Sequence, residues 1–413
     1  MAHLILGGSA RVAASLREIA RGRLARWHGV LLALALLSPV RLYSVPDLIV
    51  SVNDAKLARK TGVDSYPENP GSDTLNLIDA SNFPPKIIAT LDVATSIAGP
   101  PQAVAIAPSG KIAVVSATNH YDYQGKKVIA DTYLQVVDLE AKPARVVSRI
   151  ELGQHPQGLS INRAGTLLLA ATLGGTVAVL SIKEKTVTLR EQLKIAEGRL
   201  SGVTFTTDGR AALVCLRDEQ GILVLNVNGA QVTTERERIA SGVAPYAIDV
   251  SSDGRWAVVS NVGLAGLAGN VGKMFGDVDT ITLIDVARRP FRAVQHLTVP
   301  AVPEAVAISP NGRWIVAQTM NGSNLTADNP GRQAVGRLVL FEIKNGQAVP
   351  SDSVPGGEAA QGLVFTADNR YLIAQFNVDR QLAVFEVRDG KLRDTKTRLP
   401  VTGGPTSIRS LPR

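Results

Sequence analysis

The chain runs to 413 residues, 45% of them hydrophobic, with 37 glycines, 22 prolines and a formal net charge of +8. Its single cysteine, Cys215, excludes an internal disulfide framework and reads as a buried, inert thiol. The glycine and proline content, with no long helical periodicity past the N-terminus, points to strands and turns.

Residues 1–45 differ from the rest. They carry six arginines (Arg11, Arg17, Arg21, Arg23, Arg26 and Arg41) against one acid, Glu18, and most of that charge precedes the apolar run "GVLLALALL" from Gly29 to Leu37. Basic then apolar is the grammar of an export signal, and the run is too short for an untilted membrane span. Cleavage near Ser38–Ser44, retention as an anchor and a misassigned start all remain open. The expected location is periplasmic or secreted, with membrane contact only through this segment if it is retained. Removing it lowers the charge by five, to about +3, so the basic balance belongs to the leader and nucleic acid is not implied.

From residue 46 to 413 the chain reads as one domain built from repeats. "DLIVSVND", "DTLNLIDA" and "KIIATLDV" are three strands without an innermost partner. Six full copies of one phrase follow, among them "PPQAVAIAPSGKIAVVSATN", "VAPYAIDVSSDGRWAVVSN" and "VPEAVAISPNGRWIVAQ". Their anchors are Pro101, Pro156, Leu200, Pro245, Pro303 and Ala360, and a truncated copy begins at Pro405, so the spacings are 55, 44, 45, 58, 57 and 45 residues. A period near 45 stretched by insertions belongs to propeller blades. Within a copy, alternating apolar residues lead into a turn such as Asp253-Gly254, then a second strand, a third such as "DTITLIDV", and a more polar fourth. The orphan "PTSIRS" at the C-terminus supplies the innermost strand that the first three lack. The expected fold is therefore all-β, a seven-bladed propeller of four-stranded antiparallel blades, closed by pairing the C-terminal strand with N-terminal strands.

"VVSNVG", "DTITLIDV" and "QFNVDRQLAVFEV" resemble the YVTN-repeat and lactonase-like seven-bladed propellers, over nearly everything after residue 45. That resemblance implies the fold and leaves the activity open, because such propellers include lactone hydrolases, a carboxymuconate-cyclising enzyme, surface-layer repeats and members without assigned chemistry.

In a propeller, the loops from fourth strand to next anchor and from second to third strand share one face. Just after the anchors stand Gln102, Gln157, Ser201, Tyr246, Glu304, Gln361 and Thr406, each followed by a small residue that lets inner strands crowd the axis. This ring either solvates a channel or meets a ligand. Asparagines close the second strand in five units (Asn53, Asn119, Asn261, Asn321 and Asn377), either as strand-end caps or as amides converging on a ligand. No carboxylate spacing supports a metal site. Four insertions, 54–72, 120–130, 262–278 and 322–335, deepen the same mouth, and their order on the ring suggests two walls facing across a cleft. "GLAGLAGNVGKMFGD" fails as a phosphate loop, since Leu267 stands where glycine is needed and Met274 follows Lys273, but it suits a lid.

Of the histidines, His120 and His155 fall on this face and are candidates for general-base work, with Glu304, Arg199 and Arg380 available to a carboxylate-bearing substrate. There is no G-x-S-x-G, H-E-x-x-H, C-x-x-C or C-x-x-C-H motif, so no cofactor is expected. Two function classes follow. The first is an exported propeller that binds a small polar or anionic ligand, or a protein partner, at the loop-lined mouth through Gln102, Gln157, Tyr246, Gln361, Asn119, Asn261, Asn321, Asn377 and Arg380. The second is a metal-independent lactone hydrolase or cycloisomerase using His120, His155, Glu304 and Arg199.

Overall fold

The computed structural model describes residues 47–264 and 278–412, apart from the side chains of Arg236 and Glu237. The leader with its export reading, and most of the glycine-rich insertion with Lys273, lie outside the described residues.

Seven four-stranded antiparallel sheets form the blades. The closing blade runs, from the axis outward, Gly404–Ser410, Leu48–Asp54, Thr74–Asp79 and Lys86–Asp92. Blades one to six begin with inner strands Val104–Ile106, Pro156–Ile161, Leu200–Phe205, Pro245–Val250, Pro303–Ile308 and Leu363–Phe365. Closure takes the expected form: Ser410 pairs with Ile49, Ser407 with Val52 and Gly404 with Asp54, so chain head and tail share one sheet.

Both faces of every blade are covered, and this explains why the middle strands read as unbroken apolar runs rather than half-buried alternations. In Leu167–Thr172 every residue is buried. Its Leu167, Leu169 and Ala171 enter the cluster shared with blade three, while Leu168 and Ala170 enter the one shared with blade one. Each of the seven interfaces between neighbouring blades holds one such cluster.

The repeated turn between first and second strands has a common chemistry. In blade four Ser251 accepts the amide of Gly254 on its carbonyl, its hydroxyl donates to Asp253, and Trp256 N donates to that hydroxyl. Ser309-Asn311-Trp314 and Thr206-Asp208-Ala211 repeat the arrangement. The fourth position lies in the left-handed region in all six copies, as Gly110, Gly165, Gly209, Gly254, Gly312 and Asn369 with φ between 64° and 72°. That conformation explains why glycine recurs there, with asparagine as the one substitute.

Two insertions, read from sequence as loops without strands, contain short hairpins: Ala58–Lys60 with Val63–Ser65, and Asn119–Asp122 with Lys127–Ala130. In the first, Thr61 and Gly62 both have positive φ, which fits the two-residue turn that matches strand twist.

Candidate functional site

The small residues behind the polar ring are required by close packing. A β-carbon on Gly158 would sit 2.6 Å from the Ser201 carbonyl oxygen, one on Gly202 2.6 Å from the Tyr246 carbonyl oxygen, and one on Gly362 2.7 Å from Ile408 Cγ2. Crowding of this kind brings the ring side chains within reach of strands on the far side. Gln102 crosses from blade one to blade four, donating to the Ile248 carbonyl at 2.6 Å and accepting the Ile248 amide at 3.2 Å. Ser201 donates to the Pro245 carbonyl and Thr406 to the Val52 carbonyl. All seven ring residues are buried. Rather than lining a water-filled bore, the ring braces the inner strands and forms the floor of the loop-rich mouth.

Tyr246 organises what lies on that floor. It packs with Ala244, Val262, Ala301, Val302 and Met320, and the Arg217 guanidinium sits 4.6 Å from its ring centroid. Its hydroxyl and the Gln361 amide oxygen both approach Gly99, at 3.8 and 2.7 Å from where a β-carbon would stand. Gln361 is fully buried, and among the described residues neither its Nε2 nor its Oε1 has a hydrogen-bond partner. Leaving such an amide unpaired costs about 1–3 kcal/mol.

Glu304 lies beside this group. It is 9% exposed. Burial pushes its pKa up to about 7, against the pull of the Arg217 and Arg59 charges. Burial, then the nearby Glu304 charge, also raises the Tyr246 phenol. The backbone before Glu304 is strained: Val302, a β-branched residue, has φ +54°, and its amide is held by Asp279 Oδ2 at 2.7 Å. Strain at a position fixed by its surroundings recurs at sites where geometry matters.

Arg59 comes from the hairpin inserted in the closing blade. Burial opposes its charge, but the Asp64 carboxylate, at 2.5 and 3.0 Å, holds its pKa above the usual value. The same insertion meets both of its neighbours on the mouth. Tyr66 stacks on Tyr121 of the blade-one insertion at 3.8 Å, Tyr123 donates to the Pro67 carbonyl, and Gly62 lies against the Leu325 carbonyl of the blade-five insertion. The cleft between two walls expected from sequence is therefore bridged: one insertion reaches across as a cap. The turn at Thr61-Gly62 makes that reach possible. A methyl group at Gly62 would collide with backbone and sit in a left-handed conformation. Gly62→Ala is expected to undock the cap, seen as new protease cleavage within 55–72, with a cost of about 1–3 kcal/mol.

The other sequence-derived candidates take up separate positions. His120 is 57% exposed, with Nδ1 3.2 Å from Asp131 Oδ1, and His155 places Nδ1 2.7 Å from the Asp131 carbonyl. Both imidazoles thus meet at Asp131, and burial lowers the pKa of His155, favouring the neutral ring with Nδ1 as donor. Arg199 forms a forked pair with Asp218 at 2.7–3.0 Å. Glu304 instead faces Arg217 and Arg59, which the sequence reading did not single out. Arg217 follows the second strand of blade three, where other units place asparagine, and that departure was the available signal.

The asparagines bond to nearby chain. Asn53 donates to Thr74 and Asn76, Asn119 accepts the Ile97 amide at 2.7 Å, and Asn261 donates to Thr280 and Thr282. Asn321 and Asn377 reach the Val335 and Pro405 carbonyls. These contacts tie strand ends and insertions in place. Gln157 is buried, its carbonyl accepting from Ser116, and Arg380 is an exposed turn residue with φ +51°.

No family profile matches the chain, and no curated protein matches it in sequence. Among solved structures it is similar to a candidate 6-phosphogluconolactonase from Bacteroides uniformis, with TM-score 0.64 and 14% identity over 88% of this chain and 100% of that one. A second candidate 6-phosphogluconolactonase, from Bacteroides fragilis, gives 0.63 and 15% over 89% and 98%. The periplasmic gluconolactonase of Pseudomonas aeruginosa gives 0.62 and 16% over 89% and 99%. At this identity the likeness is one of fold, that of a seven-bladed propeller.

Proposed function

We propose that this protein binds a small, hydroxyl-bearing anion, such as a sugar acid, on the floor of the loop-rich mouth beneath the closing-blade hairpin. One observation carries the reading: beside Tyr246 the buried Gln361 amide has no hydrogen-bonding partner among the described residues, and the buried Glu304 carboxyl lies next to it. Buried polar groups are nearly always paired. An amide and a carboxyl suit hydroxyl groups, while Arg217 and Arg59 supply the charge for a carboxylate. Export to the periplasm accords with the basic-then-apolar leader. Among the described residues no helix is long and apolar enough to cross a membrane.

Calorimetric titration with gluconate tests this reading. Gln361→Met removes the unpaired amide at similar volume, so it is expected to weaken binding tenfold or more while stabilising the unliganded fold by about 1–3 kcal/mol. Binding unchanged in Gln361→Met and in Arg217→Gln would dismiss the reading.

Glu304 favours a second reading, hydrolysis of the lactone of such an acid. A carboxyl that titrates near neutrality is matched to general-base work. In this scheme the Glu304 carboxylate takes a proton from water as its oxygen adds to the lactone carbonyl. The resulting oxyanion sits near the Arg217 charge, and the ring oxygen, leaving as the C–O bond breaks, recovers the proton from Glu304.

A further inference from the structure

The opposite mouth of the channel is lined by the ends of inner strands and holds a cavity of about 130 Å³, room for roughly four water molecules. Its walls are largely apolar or hydroxyl-bearing, including Ile106, Ser160, Phe205 and Thr206, and among the described residues its charged lining is Arg409, Arg163 and Asp249. Arg409 projects from the closing strand across the axis to blade four, with its side chain 17% exposed. Its hydrogen bonds are long: 3.5 Å to Asp249 Oδ1 and 3.4 Å to the Ile248 carbonyl. A guanidinium has five N–H donors in a planar fork, so most of this one's capacity is left over inside a low-dielectric cavity. Asp249 brings one negative charge, which the two arginines outnumber among the described lining residues, and its other oxygen accepts the Ile308 amide at 3.0 Å. Burial accordingly pulls the Arg409 pKa down, its charge only partly compensated by Asp249. Arg163 stands exposed at the rim of the same cavity.

We infer that this mouth is a second binding site, separate from the loop-rich one, for a small oxyanion held between Arg409 and Arg163. A planar carboxylate or a tetrahedral phosphate accepts the forked donors, and a cavity of this size admits the head group and little more. The Gln102 bridge to Ile248 crosses the axis between the two mouths, and the buried Arg409 reaches the same Ile248 carbonyl from the cavity side.

Titration of the full chain with inorganic phosphate, sulfate and malonate, followed by calorimetry, tests the assignment and tells the two oxyanion geometries apart. Arg163→Gln lies on an exposed turn and leaves the fold intact. It is expected to weaken the anion that binds by about tenfold, and Arg409→Gln, if it folds, to abolish binding. Failure of all three anions to bind overturns the inference. So does an anion whose affinity is indifferent to Arg163→Gln, since that anion would occupy the loop-rich mouth or a scattered surface charge. Gluconate binding and its dependence on Gln361 are measured separately, so either site can fail without the other.

Discussion

Replacing Glu304 with glutamine is expected to make the protein more stable above neutral pH and to change its chemistry in a way that separates the two functional readings. The sign follows from where the carboxyl titrates. Its pKa is about 7 in the folded chain and 4.5 in the reference state, so between these values the folded chain holds a proton that the unfolded chain has released. Stability from the neutral carboxyl is full below about pH 4.5 and is lost as pH rises through about 7. The loss approaches about 3 kcal/mol, 2.5 pKa units at about 1.36 kcal/mol each. Glutamine keeps the shape and cannot ionise, so denaturation of variant and parent should agree near pH 4 and diverge by that amount near pH 8. Equal stability at both pH values would mean that Glu304 is solvated or hydrogen-bonded in solution.

The same substitution discriminates between binding and hydrolysis. If the site only binds an anion, deprotonation of Glu304 places a like charge beside the ligand, and affinity in the parent should fall as pH rises through 7. If the site hydrolyses a lactone, the carboxylate is the working form, the rate should rise over the same interval, and Glu304→Gln should lower it by a factor of about 10²–10⁴. Proton release from glucono-δ-lactone, corrected for spontaneous opening, gives the rate. One ionisation therefore moves two measurements in opposite directions.

Glu304 itself was visible in the sequence as the one acid in a ring of otherwise neutral anchor-following residues, and the small residue after each ring member announced the crowding around the axis. What the ring does was not visible. Whether Gln102 lines a bore or spans it depends on the distance across seven packed strands, which repeat spacing does not encode. Arg59 was hidden for a different reason. It lies in an insertion that shares no pattern with the repeats, and only its turn at Thr61-Gly62 carries it over the mouth toward Glu304. The histidines were legible by residue type alone, and what the sequence did not show is that the atoms both meet belong to Asp131. Residue type was a weaker guide than position in the repeat, because the repeat fixes which side chains turn inward and loops choose their own partners.

Removing the last strand is expected to have the largest structural effect of any change considered. Gly404–Ser410 is the innermost strand of a blade whose remaining strands begin the domain, so the ring is held shut by non-covalent bonds alone. Those bonds involve more than one ladder. The Gln375 amide donates to the Ser407 carbonyl and to Ser51, Ser407 donates to the Pro101 carbonyl, and Ile408 is packed among Ile49, Ile373 and Val384. The strand thus connects blade six, the closing blade and blade one. A chain ending at Gly403 would expose the edge of Leu48–Asp54 and the apolar faces it covers, a combination that favours edge-to-edge association. Such a chain is expected to be recovered as aggregate or to lose its single cooperative unfolding transition. Ile408→Ala is the graded form: it is 2% exposed, and its truncation should cost about 2–5 kcal/mol in chemical denaturation. A truncated chain that remained monomeric with unchanged denaturation would show that the strand only decorates an already closed ring. The register between Ser407 and Val52 makes the opposite expectation, because without that strand the Val52 side of the sheet has no backbone partner.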